Sequence, residues 1–384
     1  MLKLCLNHDK VIILIDSPPE NPYRGLINRL IKMVSMSDTL QPKQTPNLSD
    51  VAKALGVSVA TVSNALSGKG RVSASLISRV KEQATRMGYV PSHTGRALRT
   101  GRNSVLGLVL PDIANPLFPQ IAQAIEAAAA AAGYGILIAD SRGNVSLQTE
   151  AINRLIEYGV DGLVIVPRLG TRIADLDIPV AVIDSPSTPG NTVAADHWQG
   201  GELVGQHLVS GGHRKVLLIG KNPASIVQND RLGGIRAGLG KQTEIDVLWI
   251  EHHEAEFGKG AHLGLNEKIA SGTTAIAAVS DVHALRAMTE LYHSGYRVPD
   301  DVSVIGFDDL FWASGITPAL STVRMDLPRI GEIAIASLVQ AIEGKSESRK
   351  GPVPTFGTSR VPMTLIARQT CRSILSSSTS AKGL

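Results

Sequence analysis

Cysteine is almost missing from this chain: there are two, Cys5 and Cys371, near opposite ends. Two cysteines so placed supply no disulfide framework, which excludes the small stapled secreted scaffolds. A reducing cytoplasm is the simplest compartment. Aromatic residues make up only 4% of the chain. No apolar run approaches the ~18 residues a spanning helix needs, so no membrane partner is expected. The run Val11–Ile15 is too short for the core of an export signal. Catalytic signatures are missing as well. There is no P-loop, no Gly-x-Gly-x-x-Gly after a strand and no Gly-x-Ser-x-Gly elbow. The ten histidines show no metal-ligand spacing, and His252–His253 reads as a loop pair. Asp308–Asp309 is the one carboxylate pair at a strand end, and neighbours in sequence point apart. These absences argue against an enzyme and require neither cofactor nor metal.

What is present is ordinary for a globular protein: 384 residues, 43% hydrophobic and 19% charged. That length holds two or three domains. Residues 1–45 fit none of them. Pro18, Pro19 and Pro22 break the stretch, and Met33 and Met36 precede the first clear helix. A disordered extension or an over-long start is expected there.

The most informative stretch runs from Asn47 to Arg102. Asn47 can cap a helix whose apolar residues Leu48, Val51, Ala52 and Leu55 share one face. Gly56 ends it, because glycine enters the left-handed region without a Cβ clash. Ser58 caps a second helix, Val59 to Leu66, with Val62, Ala65 and Leu66 inward. Its outer face is Val59, Ala60, Thr61, Ser63 and Asn64. Such short side chains let a helix lie close against base edges in a major groove. Ser73 caps a third helix with Leu76, Ile77, Val80 and Ala84 inward, and Gly88 stops it. The pattern is a helix-turn-helix. Charge agrees. Lys43 to Asn103 holds ten Lys and Arg against two Asp and Glu, a net of +8. The whole chain carries +4, which leaves −4 for the rest. A cationic headpiece on an anionic body suits binding to duplex phosphates. The candidate DNA contacts are Ser58, Val59, Ala60, Thr61, Ser63 and Asn64, with Arg71 and Ser73 beside them. Val59, Ala60 and Asn64 are expected at base edges, and Ser58, Thr61 and Ser63 at phosphates.

From Ser104 onward apolar strands alternate with helices. The strands expected are Val105–Leu110, Tyr134–Ala139, Leu163–Val166 and Val180–Ile183, then Val216–Ile219, Val247–Ile250, Ala275–Val279 and Val302–Ile305. Helices are expected over Phe118–Ala132, from Ser146 to Tyr158, near Arg231–Leu239, up to Ala270, and over Asp281–His293. This is an α/β pattern of parallel sheets covered on both faces, enough for two doubly wound lobes. Ligands bind such sheets beyond the carboxyl ends of the strands. The polar residues there are Asp112, Asn115, Asp140, Ser141, Arg168, Asp184, Ser280, Asp281, Asp308 and Asp309.

Several separated segments resemble the lactose/galactose repressor (LacI/GalR) family. They are Val57-Ser-Val-Ala-Thr-Val-Ser63, Gly88-Tyr-Val-Pro91, Arg96-Ala-Leu98, Pro111-Asp-Ile-Ala-Asn-Pro-Leu-Phe118, Gly159-Val-Asp-Gly-Leu163, Gly212-His-Arg214, Arg231-Leu-Gly-Gly234, Gly306-Phe-Asp-Asp309 and Ser321-Thr-Val323. The resemblance implies a helix-turn-helix headpiece over 46–91 and a hinge helix and linker over 92–103. It implies a two-lobed core over 104–370, similar to periplasmic sugar-binding proteins of type I, and a flexible tail over 371–384. A homodimer would bind a palindromic operator in double-stranded DNA and respond to a small-molecule effector, a sugar or related metabolite. Arg231 would clamp effector hydroxyls or a carboxylate, Asp308 and Asp184 would accept from hydroxyls, and Phe118 would form an apolar wall. Asp112, Asn115, Arg168, Ser280 and Asp281 complete the effector set. Arg368 matches a structural arginine, and Leu98 would enter the minor groove. Four positions depart from the pattern: Asn64 for Arg or His, Gly95 for Ala, Ser280 for Asn and Met325 for Gln. A transporter's solute-binding protein and an enzyme on the same core are the alternative readings.

Overall fold

The computed structural model describes residues 2–7, 10–15, 46–67, 72–89, 102–183, 190–344, 351–352 and 360–375. The chain divides into two compact units, residues 1–95 and 96–384.

In the first unit, β1 (Leu2–Asn7) and β2 (Lys10–Ile15) pair antiparallel, where the sequence suggested a disordered extension. The headpiece follows as α1 (Leu48–Leu55), α2 (Val59–Ser67) and α3 (Ala74–Met87). Its caps are those the residue types dictate. Asn47 Oδ1 accepts from the amides of Ser49 and Asp50 at 2.8 and 3.1 Å, and the Asp50 carboxylate accepts back from Asn47. Ser58 Oγ accepts from Thr61 N at 3.1 Å and Ser73 Oγ from Leu76 N at 3.4 Å. Gly56 and Gly88 end α1 and α3 at φ 66° and 68°. Val51, Ala52, Val62, Ala65, Val80 and Ala84 form the buried centre.

The second unit holds two parallel sheets. Lobe 1 contains β3 (Val105–Leu110), β4 (Gly135–Asp140), β5 (Gly162–Ile165) and β6 (Pro179–Val182). Helices α4 (Leu117–Ala131) and α5 (Val145–Glu157) connect them. After the short β7 (Ala194–Ala195) the chain enters lobe 2 through α6 (His197–Ser210). There β8 (Lys215–Gly220), α7 (Ile226–Leu239), β9 (Glu244–Trp249), α8 (Ile250–Phe257), α9 (Leu265–Ala270), β10 (Ala275–Ala278), α10 (Asp281–His293) and β11 (Ser303–Ile305) follow. The chain returns along β12 (Thr322–Met325) to α11 (Leu327–Glu343), which packs on α4 in lobe 1. The last strands are β13 (Gly351–Pro352), β14 (Arg360–Val361) and β15 (Met363–Ile366). The lobe 1 order is β13-β6-β5-β3-β4 and the lobe 2 order is β11-β10-β8-β9. The crossings between lobes are tied together, since β12 pairs antiparallel with β15 and β7 parallel with β14.

Three local differences from the sequence reading have simple causes. Asn144, not Ser146, caps α5, because its side-chain oxygen reaches the amides of both Ser146 and Leu147. Strand β9 stops at Trp249, and the helix expected up to Ala270 is two helices split by the glycines 258, 260 and 264. Residues 371–375, expected to begin the flexible tail, run along lobe 2: Arg372 N donates to Ser303 Oγ and Ile374 N to Gly211 O.

The contact of α6 with α7 positions the site. Gly201 and Gly205 on α6 face Gly234 and Gly238 on α7. A Cβ at Gly201 would lie 2.3 Å from Arg231 O, and one at Gly234 2.0 Å from Trp198 O. Only backbone fits there, so the first turn of α6 lies against the middle of α7, and His197 comes beside Arg231.

Candidate functional site

Two sites arise, one in each unit. In the headpiece, the outer face of α2 is open. Val59 is 45% exposed, Ala60 is exposed, and Thr61, Ser63 and Asn64 are half-buried. The Ser58 and Thr61 hydroxyls lie 2.8 Å apart and share one hydrogen bond, which leaves the other hydroxyl proton for an outside acceptor. Ser73 stands at the exposed start of α3. Arg71, Gly95, Leu98 and the whole expected hinge helix lie outside the described residues.

In the core, a cavity of about 1420 Å³ opens between the lobes at the carboxyl ends of their strands. The structure brings seven of the expected effector residues to it: Asp112, Asn115, Phe118, Arg168, Arg231, Ser280 and Asp308. Asp184 lies outside the described residues. Asp281 is a correction. Its side chain is fully buried, away from the cavity walls, and it serves the fold: Leu310 N and Thr322 Oγ1 donate to its two oxygens at 2.8 and 2.6 Å. Asp281 and Asp308 both follow a strand, and only the path of the chain separates their roles.

The deepest polar group is Arg231. Its Nη1 donates to Val279 O at 2.6 Å and to Asp308 Oδ1 at 2.8 Å. Its Nε donates to His197 Nδ1 at 3.3 Å, and its guanidinium lies 4.7 Å from the centre of the Phe307 ring. Nη2 and Asp308 Oδ2 have no partner among the described residues. Asp308 takes φ 103° and Asp309 φ 50°, left-handed values that non-glycine residues seldom adopt. The bend sends the two carboxylates apart, as expected. Asp308 turns to Arg231, while Asp309 binds Arg324 Nε and Arg368 Nη2, each at 2.6 Å. Arg368 also donates to Leu320 O, so it is structural, as the resemblance implied. Gly306 permits the bend, since a Cβ there would lie 2.3 Å from Asp281 Oδ1.

Burial shapes the ionisation here. It holds His197 well below the usual imidazole range, helped by the neighbouring Arg231 cation. It pushes His283 down to about 4, with Lys221 and Arg286 adding to the effect. It raises Asp281 to about 8, and the Asp308 charge adds to that. Asp308 is pushed up by burial, against the pull of Arg231. Sequence reasoning missed His197, His283, Lys221 and Gln228 on the cavity wall. His197 directly follows the α6 cap Asp196, a weak signal. Lys221 follows β8 as Arg168 follows β5, which strand-end reasoning could have found.

Comparison with known proteins finds a match in each unit. Residues 47–92 match the bacterial regulatory proteins of the lacI family, and residues 206–371 match a periplasmic binding protein-like domain. The HTH-type transcriptional regulator DegA of Bacillus subtilis (strain 168) is 30% identical over 314 residues, 78% of this chain and 93% of DegA. The ribose operon repressor of the same strain is 30% identical over 335 residues, 85% of this chain and 98% of that repressor. The crystal structure of the lac repressor dimer bound to operator and the anti-inducer ONPF superposes with a TM-score of 0.68 at 26% identity, covering 86% of this chain and all of that one. These relatives are regulators, neither enzymes nor transport proteins, and no helix among the described residues is long and apolar enough to cross a membrane. Headpiece, two-lobed core and similarity over nearly the whole length of these relatives agree: the chain belongs to the lacI family of bacterial regulatory proteins.

Proposed function

We propose that this protein is a transcriptional repressor that binds a palindromic operator as a homodimer and changes affinity when a small metabolite closes the two lobes. The observation that carries the reading is one chain holding both a +8 headpiece with an open, short-chained reading face and an α/β cleft with a buried polar floor. Val59, Ala60 and Asn64 meet base edges. Ser58, Thr61, Ser63, Arg71 and Ser73 hold phosphates. Asn can pair bidentately with adenine, and Val or Ala can pack on a thymine methyl. A sugar or related metabolite sits between Asp112, Asn115, Phe118 and Arg168 on one side and Arg231, Ser280 and Asp308 on the other. Such a regulator works where the chromosome is, in the cytoplasm.

Apolar surface supports the dimer. Edge strand β4 leaves Leu137 39% and Ile138 48% exposed, and α10 exposes Leu285 and Tyr292 at helical spacing. A second copy would cover these faces.

A gel-shift assay with the DNA upstream of the gene tests the reading. The wild-type protein should shift one palindromic site, and the shift should change with effector. Asn64→Ala should relax preference at one position of each half-site and leave nonspecific binding nearly intact. Equal weakening on every sequence would remove Asn64 from base readout, and no sequence-preferring shift at all would sink the repressor reading.

A further inference from the structure

The acceptors and donors around the cleft are unequally engaged. A backbone amide can only donate, so a side-chain amide atom facing one must be its oxygen. By this rule Asn115 Oδ1 is held by Leu117 N, Asn144 Oδ1 by the amides of Ser146 and Leu147, and Asn222 Oδ1 by Ala224 N. Gln228 Oε1 takes the amides of Lys221 and Asn222. Asp112 Oδ1 takes Ala114 N, and Asp308 Oδ1 takes Arg231. The loops have turned most neutral acceptors of the walls inward on themselves.

The donors are left over. The four amide NH2 groups of Asn115, Asn144, Asn222 and Gln228 have no partner among the described residues. Arg231 Nη2 is likewise open. His197 adds one more. Its Nδ1 faces Arg231 Nε, which can only donate, so the ring proton must sit on Nε2. The imidazole is therefore a neutral, fixed donor on the cavity wall.

Three cations complete the set. Arg168 and Arg172, on the lobe 1 loop after β5, and Lys221, on the lobe 2 loop after β8, line the same cavity, Arg168 half-buried and the other two exposed. None of the three side chains has a hydrogen bond or ion pair among the described residues. On the opposite sign, Asp175 and Glu251 line the cavity and are exposed, like Arg172 and Lys221, and the Asp308 charge is met by Arg231. The open carboxylate oxygens of the inner wall are Asp112 Oδ2 and Asp308 Oδ2.

Resting on the reading of this cleft as the effector site, we infer that the effector is a polyhydroxylated oxyanion, a sugar acid or a sugar phosphate. Its hydroxyls donate to Asp112 and Asp308. Its carboxylate or phosphate accepts from Arg168 and Lys221. Because the two cations stand on opposite lobes, closure without an anion would bring like charges together, and the oxyanion removes that penalty. Charge-assisted hydrogen bonds are the stronger kind, so this end of the ligand dominates recognition.

Matched probes test the inference on the full chain: D-glucose, D-glucuronate and D-glucose 6-phosphate, and D-ribose, D-ribonate and D-ribose 5-phosphate. Melting temperature and titration calorimetry read binding, and operator shift is read in the same preparation. At least one anion should stabilise the protein where its neutral parent does not, and the carboxylate and phosphate arms tell which oxyanion is used. Arg168→Gln and Lys221→Gln should each weaken that anion by ~10-fold or more, with Arg168→Lys recovering part of the loss. Neither side chain has a partner to lose, so both variants should fold. A neutral sugar binding as tightly as its anion, no response to any anion, or an anion affinity untouched by Arg168→Gln each overturns the inference. If the operator is still bound in those cases, the repressor reading survives; loss of operator binding in the wild type counts against that reading instead.

Discussion

The two walls of the cleft are built differently. On lobe 2, Arg231 is 4% exposed and Asp308 and His197 5% each, and Arg231 is bonded to both of the others. On lobe 1, Asp112, Asn115, Phe118 and Arg168 are half-buried, and the polar ones use hydrogen bonds only within lobe 1. A buried, mutually bonded wall keeps its geometry whether or not a ligand is present, so ordering it adds little cost on binding. A half-exposed wall can change its chemistry by one substitution without disturbing a core. The difference assigns anchoring to the buried floor of lobe 2 and discrimination to the more exposed groups, those of lobe 1 together with Lys221 of lobe 2.

The hardest break of this comparison is Arg231→Ala. It strips four interactions from the floor and leaves Asp308 buried without its counterion. Removing one member of a buried pair costs ~3–5 kcal/mol. Stability should fall by that order in urea unfolding, and effector response should vanish. Operator binding should persist below the shifted unfolding midpoint. A variant as stable as wild type would mean that the lobe 2 wall is not an anchor.

The acid behind that wall gives a pH test. Burial, reinforced by Asp308, raises Asp281 to about 8, although the bonds from Thr322 and Leu310 pull the other way. An Asp in an unfolded chain titrates at ~3.9. The folded protein therefore holds a proton that the unfolded chain has released. That contribution is full below pH ~4 and lost as pH rises through ~8, so stability should decline across this window. Asp281→Asn removes the titration and should flatten the slope of the urea midpoint against pH. Equal slopes in the two proteins would show that Asp281 keeps no proton.

How much of this was legible beforehand follows from which forces were local. Caps and stops of the headpiece depend on neighbours within four residues, and Asn47, Ser58, Ser73, Gly56 and Gly88 act as their types dictate. Strands β3, β5, β8 and β10 are continuous apolar runs and fell within a residue or two of their expected bounds. Helix α6 was not expected at all. Its Gly200, Gly201 and Gly205 look like breakers locally, yet Gly201 and Gly205 make room for α7, a partner some thirty residues away, and Gly200 for Met363 and Phe307. Five strand-end residues, Asp112, Asn115, Arg168, Ser280 and Asp308, converged as topology requires. Asp281 did not, and His197 was invisible, because its tautomer and place depend on Arg231.

The finest distinction lies within lobe 1 and separates position from recognition. Gln148 is fully buried, and its amide holds the loop that carries Arg168. It donates to Val166 O at 3.0 Å and accepts from Arg168 N at 2.9 Å and Thr171 Oγ1 at 2.5 Å. The loop is thus fixed through its backbone, and the Arg168 guanidinium takes no part in fixing it. Gln148→Ala leaves buried donors and acceptors unmet, at ~1–3 kcal/mol. Arg168→Gln removes a side chain without a partner and should stay within ~0.5 kcal/mol of wild type. Both should weaken the effector, one by misplacing the loop and the other by removing the contact. A double variant distinguishes them: if Arg168 recognises ligand only from the placed loop, Arg168→Gln should add little to the binding loss already present in Gln148→Ala. Fully additive losses would mean that the guanidinium acts from a distance as a mere charge, and that lobe 1 discriminates without a defined shape.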